Sequence, residues 1–288
     1  MYLPDENKLI GIDLGGTKVQ AGLIQGNKIL GKKYRLIPAD TQNPDEIINI
    51  ISGIIAELFD NDVLGIGIGV PSLVDREKGI IYNVQNIPSW KNVPLADIFR
   101  KRFQVPVYLD NDANCFALGE YRFGAGKNCN NFVGLALGTG MGAGIINNGH
   151  LLKDANCGSG EFGSIPYKDS IYEDYCSGKF FKKFYFLNGE DIFKKAQNGN
   201  EYAIKAFKEF GEHLGNAIKT IMFAVDPNKI IIGGSVSHSK DFFEEQMWDT
   251  IKTFPYPESV EKLEIIFTET PNIAIFGAAS LYYDRVKV

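Results

Sequence analysis

The opening of this chain returns, in altered form, near its middle. Residues 9–30, LIGIDLGGTKVQAGLIQGNKIL, align with residues 132–152, FVGLALGTGMGAGIINNGHLL. Gly11 matches Gly134, Leu14 matches Leu137, Gly15 matches Gly138 and Gly26 matches Gly149, all at one offset. Segments 21–24 and 143–146 match after a slip of one residue. Self-similarity of this kind marks a duplicated architecture. Each copy reads as strand, glycine turn, strand, so the chain is expected to form two related lobes. A cleft would lie between them, with both glycine turns facing it.

The stretch between the copies fills in the first lobe. Gly26-Asn27 is a hairpin signal, followed by a third strand at 28–35. Pro44 opens a helix whose Ile47, Ile50, Ile51, Ile54, Ile55 and Leu58 keep helical spacing. Residues 63–70 read as a buried, glycine-rich strand. A helix at 94–103, a strand at 107–109 and a helix at 113–123 follow. In the second half one apolar stripe runs from Ile204 to Val225, with Gly211 and Gly215 offering a close packing surface. Asp226-Pro227 stops that helix, residues 229–232 form a strand ending in Gly233-Gly234, and 274–283 reads as a last helix. Strands alternating with helices predict an α/β fold. The repeat places the domain boundary near 113: a first lobe of 1–113, completed by the C-terminal helix 274–288, and a second lobe of 114–273.

Composition removes several classes of function. At 288 residues, 44% hydrophobic and 23% charged, the chain can bury a core without staples. Thirty basic residues against thirty-five acidic ones, without a basic run, exclude a broad nucleic-acid footprint. No apolar stretch approaches the roughly 18 residues of a membrane span, and MYLPDENK lacks the apolar centre of a signal peptide. Cys115, Cys129, Cys157 and Cys176 form no CxxC pair and read as free thiols. A cytoplasmic protein with no nucleic-acid or membrane partner is expected.

Three constellations carry chemistry. The turns Gly15-Gly16-Thr17-Lys18 and Gly138-Thr139-Gly140, with Gly233-Gly234 after a third strand, offer backbone N–H groups to phosphate oxygens. Neither turn is a Walker A loop, which needs GxxxxGK[ST]. Thr17 and Thr139 can add hydroxyl donors. Asp13 ends the first strand and could hold Mg²⁺ through water, an ion that takes few carboxylates. Leu109-Asp110-Asn111-Asp112-Ala113-Asn114 then puts two carboxylates and two amides at a strand's carboxyl end, where α/β folds bind ligands. Helix capping alone needs one such residue. Glu161, in Gly158-Ser159-Gly160-Glu161-Phe162-Gly163, is a lone acid in a glycine loop, and Glu173 sits at a helix start.

Taken in order, these motifs resemble a known family. Asp13-Leu14-Gly15-Gly16-Thr17, the run 65–71, Asn86-x-Pro-x-Trp90, Asn111-Asp112-Ala113-Asn114, Leu137-Gly138-Thr139-Gly140-x-Gly142 and Gly160-Glu161-x-Gly163 are similar to those of the ROK family of bacterial sugar kinases, repressors and open reading frames. The resemblance covers almost the whole chain and implies the two-lobed, actin-like, ribonuclease H-like ATPase fold. It implies ATP-dependent phosphorylation of a hexose, glucose first. N-acetylated or amino hexoses, mannose and fructose are alternatives, as is a silent sugar sensor. Asp112 resembles the family's general base. Asn111, Glu161 and Glu173 resemble its sugar ligands, with Ser72, Gln85 and Asn86 where first-lobe sugar contacts fall. The glycine turns resemble its phosphate loops, Gly233-Gly234 its adenosine-side loop. ATP with Mg²⁺ and a homodimer are likewise implied. Repressors of the family carry a preceding helix-turn-helix; with the first strand expected at Leu9, the kinase reading is preferred.

One departure is plain. Family kinases follow Gly-Glu-x-Gly with histidine and a cysteine-rich loop that binds zinc. Here the histidine position is Ser164 and the loop, IPYKDSIY at 165–172, has no cysteine. No structural zinc is expected. The loop is expected to hold itself by packing Ile165, Pro166, Tyr167, Ile171 and Tyr172.

Overall fold

Alternating apolar residues at the start of the chain form the centre of the first sheet. The computed structural model describes residues 7–38, 40–84, 86–155 and 157–285, so Gln85 lies outside the described residues. Two compact units are present: 1–130 with 144–159 and 270–288, and 131–143 with 160–269.

In the first unit, β1 (Lys8–Leu14) and β2 (Lys18–Gln25) pair antiparallel, Leu14 opposite Val19. β2 turns into β3 (Lys28–Leu36) at Gly26, whose φ of 57° is the left-handed conformation that such hairpins require. α1 (Pro44–Leu58) starts with proline in its first turn and an Asn43 cap accepting from the Asp45 N–H. It buries Ile47, Ile48, Ile51, Ile54, Ile55 and Leu58, each worth about 1.5–3 kcal/mol of transfer from water. β4 (Val63–Val70) runs parallel to β1. β5 (Val74–Asp75), β6 (Ile80–Val84) and β7 (Ile87–Val93) make a small antiparallel sheet around fully buried Trp90. After α2 (Leu95–Phe103) comes β8 (Val107–Asn111), leading directly into α3 (Asp112–Phe123). The sheet order is β3-β2-β1-β4-β8. The carboxyl ends of parallel β1, β4 and β8 align, with Asp13 beside Gly69 and Val70 beside Asn111.

The second copy supplies β9 (Phe132–Leu137), β10 (Met141–Asn147) and β11 (His150–Leu151), with the division between units falling inside β10. A hairpin of β12 (Pro166–Tyr167) and β13 (Ser170–Ile171) precedes α4 (Tyr172–Cys176), α5 (Gly178–Tyr185), α6 (Gly189–Gln197) and the long α7 (Glu201–Val225). β14 (Lys229–Gly233) runs parallel to β9. α8 (Glu244–Ile251) follows and crosses α7 at Gly211, where a Cβ would stand 2.4 Å from the Phe243 carbonyl. α9 (Pro257–Lys262), β15 (Glu264–Phe267), parallel to β14, and α10 (Ile273–Arg285) complete the chain, and the second sheet has the order β11-β10-β9-β14-β15. Stacked rings of Phe181 and Phe210, 5.4 Å apart, with Phe210 edge-on to Phe243 at 5.2 Å, fill the core of this unit.

α10 belongs to the first unit, where it lies on both β4 and α3. A Cβ at Gly67 would fall 1.7 Å from the Ala278 carbonyl, and one at Gly277 1.7 Å from the Cys115 carbonyl. The repeat puts the boundary near 113, whereas the first compact unit keeps α3 and the chain to 130, together with 144–159. The reason is this α3–α10 contact, between residues too far apart in sequence to show as a pattern. Among the described residues, no helix is long and apolar enough to cross a membrane.

Candidate functional site

The candidate residues fall into two halves, one in each unit. The first half gathers at the carboxyl ends of β1, β4 and β8. Asn111 is the N-cap of α3: its Oδ1 accepts the Ala113 N–H at 2.9 Å, and its Nδ2 donates to the Ser72 carbonyl at 3.4 Å. Asp112, the first helical residue, accepts the same Ala113 N–H on Oδ1 at 2.9 Å and is partly exposed, which fits a carboxylate that must reach a substrate. Ser72 is buried, and its hydroxyl donates to the Asn83 carbonyl at 2.6 Å and lies 3.1 Å from the Leu73 carbonyl. In the first glycine turn the Gly15 N–H donates to the Lys18 carbonyl at 2.9 Å, and Thr17 and Lys18 are exposed. Exposed Asn86 lies against this turn, 3.1 Å from where a Cβ on Gly16 would be. Burial pushes the Asp13 carboxyl up, and Lys18 and Lys32 pull it back. One carboxylate with waters fits Mg²⁺ delivered on a nucleotide.

Beneath Asn111-Asp112 lies a buried charge network. Fully buried Asp110 takes a two-pronged ion pair from Arg76, Nε to Oδ2 at 2.9 Å and Nη2 to Oδ1 at 3.1 Å. Arg285, in the last turn of α10, adds Nη2 to Oδ2 at 2.7 Å. The Asn111 N–H and the Asn114 amide each donate to Asp110 Oδ1 at 2.8 Å. Arg76 Nη1 reaches Asp154 at 2.5 Å, and Asp154 accepts from the backbone N–H groups of Cys157 (3.0 Å) and Ser159 (2.8 Å). Three separated segments, at 76, 154–159 and 285, are thereby tied directly or through Arg76 to the residue preceding the pair Asn111-Asp112.

In the second half, the β9–β10 turn closes through a Gly138 N–H to Gly140 carbonyl bond of 3.0 Å. The start of α5 is fastened to it: the Gly178 N–H donates to the Gly138 carbonyl at 2.8 Å, and the Ser177 hydroxyl to the Thr139 carbonyl at 3.1 Å. Gly234, φ 94°, passes so close that a Cβ would meet the Leu137 carbonyl at 2.2 Å, which brings Gly233-Gly234 beside the end of β9. Glu173 spans the turn and α5: Oε2 accepts the Met141 N–H at 3.1 Å, and Oε1 pairs with Lys179 Nζ at 2.5 Å. Exposed Glu161 begins a single 3₁₀ turn; desolvation by its surroundings and then the like charge of Glu173 raise its carboxyl above the ordinary value.

Of the five residues expected to pack the loop, Tyr167 and Tyr172 do most of the holding. Pro166 is exposed and Ile165 and Ile171 are only partly buried. Tyr167 stacks on Tyr172 at 4.3 Å and 16°, with Tyr175 edge-on at 5.3 Å. Its hydroxyl meets His213 Nδ1 at 3.1 Å and accepts from Asn216 Nδ2 at 3.3 Å, both on α7. The Tyr172 hydroxyl reaches Thr220 Oγ1 at 2.8 Å. Burial, and secondarily Lys168, lowers the His213 imidazole to about 4. Among the described residues, no group of three or more His, Cys, Asp or Glu side chains is arranged to hold a metal ion.

Within the first unit Asp13, Gly15 to Lys18, Ser72, Asn86, Asn111 and Asp112 share one end of the sheet; within the second, Gly138 to Gly140, Glu173 and Gly233-Gly234 surround one turn. Arg76, Asp154, Arg285, Lys179 and His213 were not legible in the sequence. Only Lys179 carries a local signal, a cation directly after Ser177-Gly178.

Two units, each opening with an antiparallel strand–glycine turn–strand and continuing in parallel strands and helices, define the actin-like, ribonuclease H-like α/β ATPase fold. A ROK family glucokinase from Streptomyces griseus, solved with glucose and AMPPNP, has this fold with a TM-score of 0.81 and 26% identity, over 96% of this chain and 99% of that one. The chain belongs to the ROK family, whose sequence model matches residues 9–285. It is 30% identical to the glucokinase of Thermotoga maritima across 97% of this chain and 98% of that protein. It is also 28% identical to the xylose repressor of Bacillus spizizenii, across 97% of this chain and 79% of the repressor.

Proposed function

We propose that this chain is an ATP-dependent hexokinase that phosphorylates glucose at its C6 hydroxyl. The observation that carries the reading is Asn111-Asp112 at the start of α3, a partly exposed carboxylate beside a fixed amide at the strand ends. Phosphoryl transfer needs in-line positioning, charge compensation and a group to receive the hydroxyl proton. Asp112 is the base, Asn111 orients the acceptor hydroxyl, and Glu161 and Glu173 hold ring hydroxyls. Ser72 and Asn86 support the sugar side. The turns at Gly15 to Lys18 and Gly138 to Gly140 cradle phosphates, and Gly233-Gly234 lies against the nucleoside. Asp13 would hold, through water, the Mg²⁺ that arrives with ATP, and that ion would supply charge compensation for the phosphates. The acceptor assignment is supported by the glucokinase similarity over nearly the full length of both chains.

ADP release with MgATP, measured across glucose, mannose, fructose, N-acetylglucosamine, N-acetylmannosamine and a sugar-free control, tests the reading. Strongest turnover with glucose is expected. Turnover confined to an N-acetyl hexose would move the substrate, and sugar binding without turnover would make the protein a sensor.

A further inference from the structure

Lys179 has no part in the reaction as described above, yet its position is unusual. It is the second residue of α5, where the helix dipole disfavours a cation. Two bonds, Gly178 N–H to Gly138 and Ser177 Oγ to Thr139, fix the start of α5 against the glycine turn. Its ammonium is held there by Glu173 Oε1 at 2.5 Å, while Glu173 Oε2 takes the Met141 N–H at the turn's other side. The Lys179 side chain is 46% exposed and that of Glu173 27%. An ion pair this open is weak and readily displaced.

We propose that Lys179 couples the two substrates of this site. It occupies Glu173 when the site is empty and turns to the nucleotide's phosphates when a hexose hydroxyl takes Glu173 Oε1. The inference rests on the hexokinase reading, in which Glu173 is a sugar ligand and Gly138 to Gly140 a phosphate loop. Each substrate breaks the same ion pair, so whichever binds first removes that hindrance for the second. The ammonium released by sugar stands beside a turn lined with backbone groups, on a long stem with rotatable donors suited to a phosphate chain. The coupling must be reciprocal: sugar tightens nucleotide by the factor by which nucleotide tightens sugar.

Calorimetric titration of MgADP, with and without saturating glucose, tests this on the wild type, Lys179→Met and Lys179→Arg. The wild type is expected to bind MgADP more tightly with glucose present. Lys179→Met should lose about fivefold or more of that gain, of the size usual for coupled sites, while binding glucose alone at least as tightly as the wild type. Lys179→Arg should keep the gain. A wild type without any gain, or a methionine variant with the full gain, would overturn the proposal. So would weaker glucose binding by Lys179→Met, because Lys179 would then be holding Glu173 in place rather than competing for it. Hexose turnover by the wild type is the separate readout for the hexokinase reading. If it is absent while a Lys179-dependent gain persists, that reading fails and the coupling stands.

Discussion

The two groups of candidate residues, one in each unit, are held by opposite means. Asn111-Asp112 rests on a buried network in which Asp110 is fully enclosed and Arg76 is only 10% exposed. Glu173 is held by one backbone bond and a half-exposed lysine. Buried, multiply bonded charges are expensive to disturb, whereas open ion pairs contribute little and exchange readily. The difference matches the work proposed for each half. A base must sit within hydrogen-bond reach of one hydroxyl in every turnover, which favours a fixed mount. A ligand that admits and releases sugar needs a replaceable partner.

The comparison is broken most directly at Asp112. Asp112→Asn keeps the shape and most hydrogen bonding but cannot take a proton, and positioned bases contribute roughly 10²–10⁴-fold. Turnover should fall by about that factor, with glucose affinity by calorimetry within a few-fold of wild type. A variant that phosphorylates glucose at near wild-type rate would remove the base assignment.

The fixed mount is tested next, at Asp110. Asp110→Asn leaves Arg76 and Arg285 facing each other without their shared carboxylate, and breaking a buried pair costs about 3–5 kcal/mol. Hydrogen exchange at β8 and the first turn of α3 should rise sharply. Arg285→Ala, which removes a partner 25% exposed, should cost about 1 kcal/mol, nearer the surface-pair value. Unchanged exchange in Asp110→Asn would mean that capping by Asn111 alone fixes the base.

What sequence revealed and what it hid follow the same division. The strand–turn–strand repeat, the α1 stripe, the hairpin glycines and the run Asp110 to Asn114 are local patterns, readable because turns and caps depend on neighbouring residues. The network around Asp110 joins positions 76, 110, 154 and 285, and nothing in local spacing announces such pairs. The packing of α3 is hidden for a similar reason: in sequence it reads with the second half, and only the structure puts Gly277 of α10 against it. The Tyr167–His213 contact is hidden because His213 lies within an otherwise apolar helix face.

That contact gives the second half a pH signature of its own. His213 ordinarily titrates near 6.5 and is lowered to about 4 in the folded chain. A depressed base contributes stability above its unfolded value and loses it as pH falls through the folded one. From pH 6.5 down to about 4 the ring cluster should therefore lose stability, by about 3 kcal/mol in full. His213→Phe keeps an aromatic ring but cannot protonate, so its thermal midpoint should fall less steeply than wild type over that interval. Parallel profiles would show that His213 stays neutral for some other reason, or contributes nothing.

The smallest expected effect is none at all, from removing zinc. A closed tetrahedral site needs four ligands drawn from thiolates, imidazoles and carboxylates. Segment 158–178 offers Cys176 and several carboxylates, with Cys157 just before it and no histidine. Among the described residues, no group of three or more His, Cys, Asp or Glu side chains that could hold a metal ion is found. The work of pinning the loop ahead of Glu173 is instead carried by Tyr167 and Tyr172 against His213, Asn216 and Thr220. Metal analysis of purified protein should find far less than one zinc per chain. Chelator followed by excess Mg²⁺ should leave the thermal midpoint and hexose turnover unchanged, whereas Tyr167→Leu should raise the KM for glucose by loosening Glu173. Stoichiometric zinc, or activity that only zinc restores, would mean that a metal rather than these rings fixes the sugar side of the site.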